Sequence, residues 1–138
     1  WAIGAAIGGK LADPRSPVLC ITGDGSYLMN AQEISVAQQR GLNVVFLVLD
    51  NGVLGTVMHG QRMRGLENTA NELPATDFAL MAQAMGIESY RIRSIEELDS
   101  LDVQSLFFRD GPVLLDVLVD PEVAPPIGQR VRNLQGPV

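Results

Sequence analysis

Apolar positions alternate along the chain between two patterns. Residues 17–22, "PVLCIT", and 43–50, "NVVFLVLD", are nearly unbroken runs rich in β-branched side chains, which predicts parallel strands buried on both faces. Residues 88–92 and 113–119, the latter "VLLDVLV", predict two more strands. Between these runs the spacing turns helical. Residues 1–12, "WAIGAAIGGKLA", predict a closely packed helix that stops before Asp13-Pro14. Residues 30–40 predict a helix with Asn30 as N-cap, Glu33 as its reciprocal partner and Gly41 as the stop. A loop is expected over 52–75, and a helix over 77–86 ending at Gly86. Ser94 with Glu97 opens a further helix that stops near Gly111, and a proline-containing tail follows the last strand. Strand and helix in alternation predict an α/β fold, its sheet mostly parallel with right-handed crossovers.

Composition narrows the function classes. The 138 residues suffice for one domain with a sizeable core, and 46% apolar with 19% charged residues is the balance of a globular protein. No window approaches the roughly 18 uninterrupted apolar residues of a membrane span, and no basic region precedes the first apolar stretch. The expectation is therefore no membrane partner and a cytoplasmic location. A formal charge of −6 without any block of lysine or arginine argues against nucleic acid as the partner. The single cysteine, Cys20, sits inside a strand pattern and is expected to be a small core hydrophobe.

The chemistry concentrates where the first strand ends, at Gly23-Asp24-Gly25-Ser26. Such residues also make ordinary turns, but the carboxyl end of a buried strand is where open α/β sheets place their ligands. A dinucleotide-binding turn is a poor fit. Leu28 stands where its third glycine belongs, and the Asp24 carboxylate would face a pyrophosphate directly. "GAAIGGKL" imitates the start of a P-loop but has Leu11 where a hydroxyl is needed. The charge conflict disappears if Asp24 holds a divalent cation that in turn holds the phosphate, since magnesium is commonly bound by one or two protein oxygens plus substrate phosphates. A second oxygen ligand is expected from a neighbouring strand end. Asn51 follows Asp24 by 27 residues, about one βαβ unit. The amides of Gly25 and Ser26 are expected to add anion-binding groups.

"GDGSYLMNAQEISVAQQRGLNVVFLVLDNGVLG" resembles the thiamine diphosphate motif of thiamine-dependent enzymes, which opens with Gly-Asp-Gly and closes with Asn-Asn. The acetolactate synthase branch is most similar, with further likeness in "AIGAAIGGKLADP", "DFALMAQAMGI" and "GPVLLDVLVDPE". The resemblance is to the C-terminal, diphosphate-binding domain. It implies a three-layer sandwich around the parallel sheet, truncated at its N-terminus, with residues 1–138 as that domain and the pyrimidine-binding and central domains outside it. It implies thiamine diphosphate and Mg2+ as cofactors and leaves a flavin requirement open. Asp24, the Asn51 side chain and the Val53 backbone oxygen would be the metal ligands. Gly23, Gly25 and Ser26 would line the diphosphate, with Leu54 and Gly55 on the loop beside it.

The implied reaction is decarboxylation of a 2-oxo acid with transfer of the two-carbon unit. The implied partners are that substrate, the pyrimidine-binding domain of another chain and further copies in a homo-oligomer. No catalytic residue is assigned within this stretch. Two departures bear on substrate: Asp50 replaces the first asparagine of the usual pair, and Gly60 stands about where this branch carries a tryptophan. A decarboxylase without carboligation and a non-catalytic cofactor-binding module are therefore alternatives. His59 and Arg62 are weaker candidates for contact with a substrate carboxylate, and residues 60–75 for a lid.

Overall fold

The computed structural model describes residues 1–123; the proline-containing tail predicted after the last strand lies mostly outside them. Helix α1 (Ala2–Ala12) leads into strand β1 (Leu19–Gly23). Helix α2 (Asp24–Asn30), a 3₁₀ turn (Ala31–Glu33) and α3 (Ile34–Gln39) then carry the chain to β2 (Val45–Asp50). Next come α4 (Gly55–Met63), α5 (Phe78–Ala84), β3 (Glu88–Ile92), α6 (Ile95–Asp99), α7 (Val103–Leu106) and β4 (Val113–Leu118). The four strands pair in the order β1-β2-β4-β3, all parallel. The predicted α/β architecture and all four strands are present.

Because side chains alternate across a strand, the sheet buries two different faces. On one face Cys20, Phe46, Val48 and Leu114 pack under α1, α2, α3 and α5, which contribute Ile3, Ile7, Tyr27, Ile34, Ala37, Phe78 and Ala82. On the other, Val45, Ile92, Val113 and Leu115 pack against Leu106 of α7. That second layer covers the β3–β4 half. Leu19 and Ile21 of β1, at 46% and 55% exposure, stand uncovered on the same face, so β1 is not enclosed on both sides as its apolar run predicts.

Three local expectations are corrected. Asn30 stands at the N-cap position of the 3₁₀ turn that leads into α3, as expected, but its side chain makes no capping bond, and another helix, from Asp24, runs into it. Gly23 ends β1 and precedes the helix, and Asp24-Gly25-Ser26 is thus its first turn, where an acid is favoured by the unpaired amides. The loop expected over 52–75 contains α4, whose polar sequence buries only Met58 and so carries little amphipathic signal. The helix expected to run from Ser94 to near Gly111 is two short ones, α6 and α7. The Ser94 cap itself forms, its hydroxyl accepting from the Glu97 amide at 3.2 Å. Helix α5 is capped by Asp77, whose carboxylate accepts from the Leu80 amide at 2.8 Å.

Candidate functional site

Parallel strands joined by helices bring β1 and β2 to a common carboxyl edge, where the turns after Gly23 and Asp50 meet. Asp24 ties them together. Its side chain, 5% exposed, accepts from the Gly25 amide through Oδ1 at 2.7 Å, and from the amides of Asn51 and Gly52 through Oδ2 at 3.1 and 2.8 Å. The turn beyond β2 is shaped by its own side chains as well. Asn51 Oδ1 accepts from the Val53 amide at 3.1 Å, and Asp50 Oδ1 from the Gly52 amide at 3.2 Å. Gly52 takes φ +70°, a left-handed conformation that a side chain would disfavour.

The segment after α4 is hydrogen-bonded onto this turn and is not a free lid. Leu54 N–H donates to the Asn71 carbonyl at 2.7 Å, Leu73 N–H to the Gly52 carbonyl at 2.9 Å, and Val53 bridges Glu72 in antiparallel fashion. Gln61 holds the far end, its amide nitrogen donating to the Thr69 carbonyl at 3.1 Å while its oxygen accepts from Asn71 at 3.1 Å.

All eight residues that the resemblance assigns to the cofactor, Gly23 to Ser26, Asn51 and Val53 to Gly55, line one groove of about 580 Å³ at this edge. Leu49, Thr56, Val57, Val119, Asp120 and Val123 also line it, and periodicity singles none of them out. Two glycines stand at close approaches that a side chain would crowd: a Cβ on Gly25 would stand 2.8 Å from Leu54 Cδ2, and one on Gly55 would stand 3.0 Å from Asn51 Nδ2. The Gly25 amide, expected to bind an anion, is instead taken by its neighbour Asp24. His59 and Arg62 turn to the chain beyond β4: His59 Nε2 lies 3.0 Å from the Pro121 carbonyl oxygen, and Arg62 pairs with both oxygens of Glu122 at 2.5 and 3.1 Å. Neither lines the groove.

A second cavity, about 550 Å³, opens beside the first behind the Asp50–Gly52 turn and includes Asp77 and Arg91. Burial first, and then the nearby Asp24 carboxylate, push the Asp50 carboxyl above its ordinary range. Asp116, fully buried on β4, is likewise pushed up, chiefly by burial, while Arg91 opposes the shift. The acid interrupting the apolar run "VLLDVLV" is the only mark of this cluster in the sequence. Its partners are adjacent only once the strand order is known.

A doubly wound parallel sheet whose carboxyl edge carries a glycine-lined groove around one buried aspartate is a cofactor-binding α/β domain of the phosphate-recognising kind. Residues 1–117 match the family described as "Thiamine pyrophosphate enzyme, C-terminal TPP binding domain". The chain belongs to this family, as an acetolactate synthase-like domain that binds thiamine diphosphate. It is 36% identical to the probable acetolactate synthase large subunit of Methanocaldococcus jannaschii, over 97% of this chain and 23% of that protein. It is 39% identical to the acetolactate synthase large subunit of Haemophilus influenzae, over 84% of this chain and 21% of that protein. With the mitochondrial acetolactate synthase catalytic subunit of Saccharomyces cerevisiae the figure is 37%, over 89% and 18% respectively. The chain thus spans about a quarter or less of the length of these relatives. Among the described residues no helix is long and apolar enough to cross a membrane.

Proposed function

We propose that this chain supplies the diphosphate and magnesium half of the cofactor site in an acetolactate synthase-like enzyme. The whole enzyme would decarboxylate a 2-oxo acid and transfer the two-carbon unit. The observation that carries this reading is the convergence of Asp24, Asn51 and Val53 on one groove whose floor is kept open by Gly25. Among the described residues no group of three or more His, Cys, Asp or Glu is arranged to hold a metal, so a cation here would draw on the Asp24 carboxylate, amide and backbone oxygens, and the ligand itself. That all-oxygen donor set suits magnesium, which keeps several outer ligands. Asp24 Oδ1 accepts a single protein amide and so retains a lone pair for a cation.

In this reading Asp24, the Asn51 side chain and the Val53 carbonyl hold Mg2+. Gly23, Gly25, Ser26, Leu54 and Gly55 flank the diphosphate, and Leu54 and Val57 shield it from water. Thiamine diphosphate, when bound, supplies the carbanion chemistry that decarboxylation needs. The uncovered sheet face at Leu19 and Ile21 favours assembly with further protein, consistent with a pyrimidine-binding domain from another chain and a homo-oligomer.

The test is calorimetric titration of thiamine diphosphate into the protein carrying this domain, with Mg2+ and with a chelator. Binding should require the cation, and Asp24→Asn should weaken it by at least about a hundredfold, the loss of a charge-assisted contact. Equal binding by Asp24→Asn would overturn the metal assignment. Two-carbon transfer products from pyruvate would separate the synthase from a simple decarboxylase.

A further inference from the structure

The Gly52 N–H is shared by two carboxylates, Asp24 Oδ2 at 2.8 Å and Asp50 Oδ1 at 3.2 Å. Both residues are buried, at 5% and 8% exposure, so their mutual repulsion is poorly screened by water. If Asp50 leaned fully toward this amide it would compete with Asp24 for the turn that carries Asn51 and Val53.

The cation that opposes this comes from the far edge of the sheet. Arg91 on β3 lies beside Asp116 of β4, which lies beside Val48 of β2. Its side chain reaches over β4. Nη2 lies 3.5 Å from Asp50 Oδ2, while Nη1 lies 2.9 Å from Asp77 and 3.3 Å from Asp116. Among the described residues, Arg91 is the cation that pairs with all three of these aspartates. A planar guanidinium can serve several carboxylates in fixed directions, which an ammonium cannot. Asp77 and Asp116 anchor the fork, and Asp116 is itself fixed by accepting from the Phe78 amide at 3.1 Å.

We propose that Arg91 is a positioning residue for the cofactor groove: anchored by Asp77 and Asp116, it draws Asp50 away from Asp24, so that the Asp50–Val53 turn presents Asn51 and the Val53 carbonyl to the ligand. This rests on the groove being the magnesium and diphosphate site. Arg91 touches neither ligand nor groove, and acts through Asp50.

A double-mutant cycle separates this role from a merely structural one. Thiamine diphosphate binding at fixed Mg2+ would be titrated in the protein carrying this domain, as wild type, Arg91→Met, Asp50→Asn and the double variant. Arg91→Met should weaken binding by about tenfold when Asp50 is present, and by less than about threefold when residue 50 is asparagine, because the amide no longer repels Asp24. Equal losses in both backgrounds would overturn the proposal, since Asp77 and Asp116 lose their partner in either case. If Arg91→Met does not fold by circular dichroism, Arg91→Lys takes its place in the cycle. The expected result is then a smaller loss with Asp50 present and none with asparagine, and equal losses again overturn it. Wild-type binding that is indifferent to Mg2+ would strike the metal-site reading, and this inference with it. Equal losses on a Mg2+-dependent background strike the inference alone.

Discussion

Asp24 and Asp116 are both buried aspartates of one parallel sheet, and the protein surrounds them by opposite means. Asp24 accepts from three backbone amides. Asp116 accepts from one, at Phe78, and pairs with the Arg91 guanidinium, both through Oδ2, while its buried Oδ1 has no hydrogen-bond partner among the described residues. Amides are held in place by the chain, so they direct a carboxylate without cancelling its charge. A guanidinium cancels the charge it binds. The first arrangement therefore leaves an anion for an incoming cation, whereas the second uses the anion up in holding β3, β4 and α5 together. The same residue type is a candidate ligand at the carboxyl end of β1 and a brace within the interior strand β4.

The largest effect should come from cutting the link between these two regions. Phe78 is 2% exposed, its amide binds Asp116, and its ring meets Tyr27 of α2 edge-on, with centroids 5.3 Å apart at 81°. Phe78→Ala should cost about 3–5 kcal/mol in denaturant unfolding, as for other large-to-small core changes. A loss below about 1 kcal/mol, the range of ordinary surface changes, would show that the two halves do not lean on each other there. Next, Asp24→Ala removes the acceptor of three amides and should lower stability by about 1–3 kcal/mol. An unchanged unfolding midpoint would mean that water replaces the carboxylate without loss, and that the amides do not brace the two turns.

Gly25→Ala should separate binding from stability. The added Cβ would press on the tip of the Leu54 side chain and make ordinary contact with Leu73, so the fold should lose about 1 kcal/mol or less. Leu54 must then shift within the groove, and cofactor affinity should fall by about tenfold. Affinity equal to wild type would show that this glycine is not required by the ligand.

The smallest effect is in pH dependence. Burial, reinforced by Asp50, raises the Asp116 carboxyl above its unfolded value against the pull of Arg91. The folded state then binds this proton more tightly than the unfolded chain does. Its contribution to stability is full below the ordinary carboxylate range and is lost as pH rises through the raised value. Asp116→Asn should flatten that part of the curve in thermal melts from about pH 4 to neutrality, a span set by ordinary carboxylate titration. An unaltered slope would assign the titration to another group.

Much of this was legible in the residues themselves. The unbroken apolar runs "VLCIT" and "NVVFLVLD" read as strands, and they appear as β1 and β2, although β1 is covered on one face only. Gly41 and Gly86, read as helix stops, take φ of 61° and 75°. The charge conflict at Asp24 pointed to the groove without any structure. Helix α4 was not legible, because a short, polar, glycine-containing segment has no periodic apolar face and is held by hydrogen bonds from residues on either side. Asn30 stands where its pattern puts it, but that pattern carries no sign of the separate helix that starts at the end of β1 and runs into it.

By itself the sequence determined the alternation of strand and helix, the mostly parallel sheet and the likeness to the family. The first two follow from local periodicity, and the last from a contiguous motif. Only the tertiary structure decided that β4 inserts between β2 and β3, which lets Arg91 reach Asp50, and that the face of β1 bearing Leu19 and Ile21 is left uncovered. Strand order depends on how distant segments compete to bury apolar surface against one another. No local pattern records the outcome of that competition.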